Sequence, residues 1–223
     1  VEQLRHVAEN LRASDIGKVR VAATPAFGVD LLPTAVASYL AEHEDTGFEI
    51  ETLHHDEISE ALLESRIDVG LAFDSIPVPG LTSEALAEGE FMVITPPDMD
   101  LGADNRVTID ALAGLPFVGL SARGPLGRLL TAYLGNSDID MRRNVSTETY
   151  HIARALVARG SGVSIVDAVT ARSGGADAVR AWSLEPSLNY SIDVILADNR
   201  PPSVLCRRFI DHLGEVVRKY LSS

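Results

Sequence analysis

Four short stretches of this chain place polar side chains where small-molecule recognition needs them: Thr24-Pro25-Ala26-Phe27, Ser121-Ala122-Arg123-Gly124, Thr147-Glu148 and Asp167. Each lies where an apolar, strand-like run gives way to a helix-like one. The Thr24 hydroxyl and the backbone N–H groups after it can hold a carboxylate at the positive end of a helix, with Ala26 and Phe27 following as backbone and apolar contacts. Ser121, Arg123 and Gly124 occupy the equivalent place later in the chain, and an arginine there can pair with a carboxylate through two parallel hydrogen bonds. Glu148 and Asp167 are candidate partners for a ligand cation. If Arg123 and one of these acids faced the same space, the pocket would suit a zwitterion. Each residue also has a plain structural role: Thr24 and Thr147 as helix caps, Arg123 as a solvated loop cation, Glu148 as a charge favoured by the helix dipole, and Asp167 as a cap for the segment after it.

Covalent chemistry finds no comparable support. There is no Gly-x-Ser-x-Gly, no cysteine with a partnered histidine and no convincing carboxylate pair. Gly160-Ser161-Gly162 lacks dinucleotide-loop spacing and follows a helix, so it reads as a helix stop. His54-His55-Asp56-Glu57 contains ligand-type residues, but adjacent side chains diverge and no second cluster completes a metal site, so an exposed turn is expected. His151, alone on a helix, and Cys206, in a helix-like stretch, read as structural. We expect no enzyme activity, cofactor or metal.

The elements that position these residues alternate. Lys18–Ala23 reads as a strand, Val29–Leu40 as a helix, Phe48–Leu53 as a strand, Glu57–Ser65 as a helix and Ile67–Phe73 as a strand. This βαβαβ order predicts a mainly parallel sheet, with ligands beyond the carboxyl ends of its strands. Leu81–Ala87 and Glu90–Thr95 read as two further strands, and Pro96-Pro97 marks a boundary. A second α/β set follows: a turn at Ile109–Ala113, strands Pro116–Leu120, Met141–Ser146 and Gly162–Asp167, and helices Leu126–Leu134 and Glu148–Arg159. A strand at Ser191–Ala197 and a long helix at Ser203–Leu221 return the chain to its first half. The expected organisation is a linker-helix end over 1–16, lobe I over 17–95, lobe II over 96–190, and a crossover strand with return helix over 191–223. A cleft between the lobes is the expected ligand site.

The chain has 223 residues, 46% hydrophobic and 23% charged, with a formal net charge of −13. Such an acidic chain is a poor partner for nucleic acid, whose affinity comes from Lys and Arg displacing counterions. No run is long and apolar enough to span a membrane, and Val1–Arg12 reads as an amphipathic helix rather than a signal peptide. No membrane contact and a cytoplasmic location are expected.

Gly17-Lys-Val-Arg-Val-Ala, Leu31-Leu32-Pro33, Glu60-Ala-Leu-Leu-Glu-Ser-Arg-Ile-Asp-Val-Gly-Leu and Val157-Ala-Arg-Gly-Ser-Gly-Val-Ser-Ile-Val-Asp together resemble the effector-binding domain of LysR-type bacterial transcription regulators. The likeness covers residues 17 to 221, and residues 1 to 13 resemble the end of that family's linker helix. It implies an α/β fold of two Rossmann-like lobes joined by two crossover strands, like a type 2 periplasmic binding protein, with a small-molecule effector between the lobes. It also implies a homodimer or homotetramer, and contact with DNA only through an N-terminal head missing from this sequence. Dimer contacts would involve the helices Val29–Glu42 and Ser203 onward, with Leu213 as an exposed apolar candidate. Many relatives carry proline after the Gly-x-Gly strand, whereas here Asp167-Ala168 follows Val166. In Val163-Ser-Ile-Val-Asp the chain is more similar to octopine-type and lysine-biosynthesis regulators, which points to an amino-acid-like effector. The alternative is a solute-binding protein of a transport system.

Overall fold

The structure, a computed structural model, describes residues 17–102, 104–135, 142–175 and 178–222. The helix expected over Val1–Arg12 lies outside them. Lobe I opens with strand β1 (Gly17–Ala23), a single helical turn α1 (Pro25–Gly28), helix α2 (Leu31–Glu42), strand β2 (Thr46–Thr52), helix α3 (His55–Leu63) and strand β3 (Val69–Phe73). These strands pair in parallel as β2-β1-β3. β3 is buried at all five positions because helices cover both faces. Ile58 and Leu62 of α3 pack with Ala72 on one side, and Leu71 joins Leu32, Phe209 and Leu213 on the other.

Strand β4 spans Leu81–Thr95 without a break. The sequence suggested two strands here because Glu88-Gly89 interrupts the apolar pattern. The backbone continues through the glycine because the ring of Tyr190 occupies the space where a side chain would stand: a Cβ on Gly89 would lie 2.5 Å from that ring. Residues Leu81–Glu90 pair with strand β10 (Asn189–Ala197), and Phe91–Thr95 pair with lobe II.

Lobe II contains β5 (Arg106–Thr108), a 3-10 turn (Ile109–Leu112), β6 (Pro116–Leu120), helix α4 (Gly124–Gly135), β7 (Arg142–Thr147), helix α5 (Tyr150–Val157), β8 (Ser164–Asp167), a short helix α6 (Ala168–Arg172) and β9 (Arg180–Glu185). Two backbone bonds, Val118 N to Val163 O and Val163 N to Pro116 O, both 2.9 Å, dock β6 beside β8. The lobe II order is therefore β7-β6-β8-β4-β9-β5. The sheet is mixed rather than mainly parallel, because β10 runs antiparallel to β3 and β4, and β4 antiparallel to β8 and β9. Returning strands produce this reversal, and their apolar pattern carries no sign of direction.

Helix α7 (Val204–Ser222) lies along lobe I beside α2. Its face of Leu205, Phe209, Leu213 and Val217 is buried, so Leu213, expected at the surface, belongs to the core. Cys206 is 1% exposed on the same helix, and burial pushes its thiol up to about 12, as suits a packing residue. No described helix is long and apolar enough to cross a membrane.

Candidate functional site

A cavity of about 380 Å³ lies between the lobes, walled by both. Lobe I contributes the loop after β1, the start of α3, and the exit of β3. Thr24 closes β1, its N–H bonded to Leu71 O at 3.0 Å, and its backbone turns into α1. The Thr24 hydroxyl is buried and has no hydrogen-bond partner among the described residues. Pro25 and Ala26 continue the wall. Phe27 does not reach the cavity; it is fully buried, its ring 4.3 Å from that of Phe73, and Phe73 makes the apolar floor.

The start of α3 supplies wall residues that sequence reading assigned to an exposed turn. His54, His55 and Asp56 all line the cavity. His54 N–H donates to Glu57 Oε2 at 2.7 Å, the backward half of a capping box, which begins the helix two residues earlier than periodicity suggested. The signal was present as a polar residue three before a glutamate. His55 Nε2 accepts from Ile76 N–H at 3.3 Å, so the unprotonated nitrogen faces the loop after β3. Burial lowers the His55 pKa, and the Arg128 charge adds to that, against Asp56 and Asp193. No group of three or more metal-ligating side chains occurs among the described residues.

Lobe II answers with Arg123, Gly124 and Glu148, as the sequence placed them, together with Pro125, Leu126, Arg128, Thr149 and Tyr150. Gly124 has φ of +73°, a left-handed turn that glycine adopts without strain, and it opens α4 towards the cavity. Gly127 lets that helix sit against the loop before it, since a Cβ there would fall 2.4 Å from Ser121 O. Arg123 and Glu148 form an ion pair at 3.4 Å, with both side chains at least half exposed. Arg128 lines the same wall and makes no ion pair among the described residues.

Three sequence candidates stand behind the wall. Ser121 donates its N–H to Thr147 O at 3.0 Å, while its hydroxyl is buried and unpartnered. Thr147 does not cap α5: the helix starts at Tyr150, and Thr147 Oγ1 instead accepts from Thr149 N–H at 3.3 Å. Asp167 is fully buried and caps α6, its Oδ1 accepting from Thr170 N–H at 2.8 Å. His151 spans the seam, its Nε2 3.0 Å from the Ala26 carbonyl, which can only accept, so the proton sits on Nε2. The arrangement offers two cations, two acids and histidines around an apolar floor, suited to binding a small charged molecule.

Residues 12–218 match the family model of the LysR substrate binding domain. The chain belongs to this family. As a LysR substrate binding domain it has the two-lobed, type 2 periplasmic-binding-protein-like α/β fold that the resemblance implied. It is 30% identical over 217 residues to the HTH-type transcriptional regulator DgcR of a Pseudoalteromonas species, covering 97% of this chain and 75% of that protein. That relative regulates transcription, which favours the sensor reading over the transport alternative. Two solved structures share the fold. One is the regulatory domain of Synechocystis CcmR in complex with 2-PG, with TM-score 0.74, 17% identity, and coverage of 90% of this chain and 97% of that one. The other is the effector binding domain of QuiR in complex with shikimate, with TM-score 0.72, 17% identity, and coverage of 91% and 98%.

Proposed function

We propose that this LysR-type domain senses a small zwitterionic molecule, an amino acid or a close derivative, held between its lobes without turnover. The observation that carries this reading is the cavity of about 380 Å³ whose lobe II wall holds Arg123, Arg128 and Glu148 facing the Thr24 loop of lobe I. A ligand carboxylate pairs with the arginines, across the cavity from the Thr24 loop, and an acid of lobe II receives the ligand cation. The ligand acts by binding one arrangement of the lobes, or one packing of subunits, better than another. Its effect passes through a homodimer or homotetramer, built on α2 and α7, to DNA held by an N-terminal head.

The test is thermal denaturation of the domain with amino acids, opines, aromatic acids and inorganic anions, because a ligand of the folded state raises the melting temperature. Amino acids or opines should raise it and be recovered intact by NMR. Preference for uncharged aromatic compounds, or consumption of the ligand, would overturn the reading.

A further inference from the structure

Where α1 of lobe I meets α5 and α6 of lobe II, hydrogen bonds pass from one lobe to the other. One is the bond from His151 Nε2–H to the Ala26 carbonyl, 3.0 Å long. Another runs from the Gly174 N–H, just beyond α6, to Asp30 Oδ2 at 3.3 Å. Ala26 lies within α1 and Asp30 just after it, while Ser173, next to Gly174, has its Oγ 3.4 Å from the second ring nitrogen of His151. The two acceptors therefore share one patch of lobe I, and the two donors one patch of lobe II.

Asp30 stands at the N-cap of α2, where an aspartate ordinarily accepts from the N–H groups of the first turn, yet its side chain makes no such bond. The carboxylate is turned across the seam instead. Its Oδ2 also accepts from the Tyr220 hydroxyl of α7 at 2.8 Å, which aims it, and its Oδ1 takes the Thr34 hydroxyl at 3.4 Å. The turn it meets is prepared from the other side. Gly174 has φ of +68°, which glycine adopts without strain, and Arg154, 9% exposed, donates from Nη2 to the Gly175 carbonyl at 2.9 Å and holds the turn from behind. A helix start that leaves its own first turn uncapped is explained by what the carboxylate holds across the seam. The contact also borders the ligand space: Ala26 lines the cavity, and Tyr150, which lines it too, directly precedes His151.

We propose that Asp30 and His151 are the positioning residues of an interlobe clasp, which sets the angle between the lobes beside the ligand. Because Ala26 is both cavity wall and clasp acceptor, a molecule that displaces it loosens the bond to His151, and the lobes turn. A ligand acts on such a protein only by favouring one of its arrangements, and the clasp is the contact that distinguishes them. This goes beyond the effector reading and holds whatever charge the ligand carries.

The experiment measures the lobe-to-lobe distance in the ligand-free domain by double electron–electron resonance. Spin labels sit on two exposed positions, Glu60→Cys on α3 and Arg159→Cys just beyond α5, while Cys206 is buried and takes none. Asp30→Ala should raise the population at a second distance about tenfold over the labelled wild type, and adding His151→Ala should raise it further. Asp30→Asn should keep the wild-type distribution, because its amide oxygen still accepts from Gly174 and Tyr220. Circular dichroism checks that each variant is folded, and the single variants carry the test if the double one is not. Unchanged distances in Asp30→Ala would mean that the β4–β10 ladder alone fixes the angle, and equal shifts in Asp30→Asn and Asp30→Ala would mean that the acceptor is not what holds the lobes; either overturns the proposal. The effector screen stands apart from both results, since no ligand is present.

Discussion

The two lobes use the acids beside their strands in opposite ways. In lobe I, Asp68 stands just before β3, with Oδ2 accepting from the backbone N–H and Nε of Arg20 at 2.9 and 3.2 Å, and Oδ1 accepting from Arg20 Nη2 at 2.7 Å. Arg200 adds its charge at 3.8 Å. The Arg20 bonds hold the Asp68 carboxyl below its ordinary range even though partial burial pulls it upward. On the crossover strand, Asp193 is likewise satisfied, Oδ2 accepting from Ser75 N–H at 2.8 Å and Ser191 Oγ at 2.9 Å. In lobe II, Asp167 has one oxygen bonded and the other unbonded among the described residues. The contrast separates a frame from a site: Asp68 and Asp193 commit their oxygens to the stability of the fold, while Asp167 leaves one unspent behind the cavity wall. Such incompletely matched positions are where function is expected to override folding.

Glycine gives the sharpest way to break this comparison, since each lobe draws its cleft helix close across one. Gly127→Ala drives a Cβ to 2.4 Å from the rigid Ser121 carbonyl, and we expect a loss of about 3 kcal/mol in urea unfolding, as for an overpacked core. Gly70→Ala meets the Ile58 Cγ2 at 2.3 Å, a side-chain atom that can give way, and should cost about 1.5 kcal/mol. Equal losses would show that α3 and α4 are held equally rigidly.

The acids come next. Asp68→Asn removes the charge that Arg20 and Arg200 share and should destabilise the domain by about 2 kcal/mol at neutral pH. Asp167→Asn should cost less than about 0.5 kcal/mol there or stabilise the fold, because the amide caps α6 and brings no buried charge. A large loss from the second substitution would turn Asp167 into part of the frame.

Their pH dependences sharpen the point further. The folded-state pKa of Asp68 is lowered, so its contribution is present above the unfolded carboxylate range and is lost as pH falls through the folded value. That of Asp167 is raised, so its contribution is present below the unfolded range and is lost as pH rises through the folded value. Between pH 4 and 8, urea midpoints of Asp167→Asn should gain on the wild type with rising pH, whereas Asp68→Asn should trail the wild type by a near-constant margin there and close the gap only as pH falls below the ordinary carboxylate range. The smallest effect on folding belongs to Arg128→Ala, within about 0.5 kcal/mol, as for an exposed and unpaired side chain. Any carboxylate ligand found in the screen should nonetheless bind about tenfold more weakly to it.

Much of this was legible in the sequence because the signals were local. The alternation of strands and helices located β1, β3, β6, α4 and α7 closely, and the loops after β1 and β6 carried Thr24, Arg123 and Gly124 to the cavity wall as their positions implied. What was missed depends on distant partners. The continuity of β4 rests on Tyr190, a hundred residues later; the antiparallel return of β10 leaves no mark in its apolar pattern; and β5 and α6 are too short for periodicity. His54 and His55 were judged by their neighbours in the chain, whereas the folded chain sets both on the cavity wall, with His55 bonded to Ile76 N–H from the loop after β3 and acted on by Arg128 of the other lobe. Asp167 was recognised as an acid after an apolar strand, but only the packed structure shows one oxygen bonded and the other not.

The pairing of β4 with β10 has a mechanical consequence. The two chain segments that join the lobes are not separate tethers but neighbours in one ladder from Leu81 to Glu90 and Asn189 to Ala197. Hydrogen bonds running across a ladder resist sliding of one strand past the other, so the stiff directions are stretch and shear, and the compliant one is torsion about the common strand axis. The register shift between Ile192 and Asp193 is where such a bar would yield first, since a bulge already carries excess twist. A signal leaving the cavity would then travel as an angle of one lobe against the other, with its amplitude growing with distance from that axis.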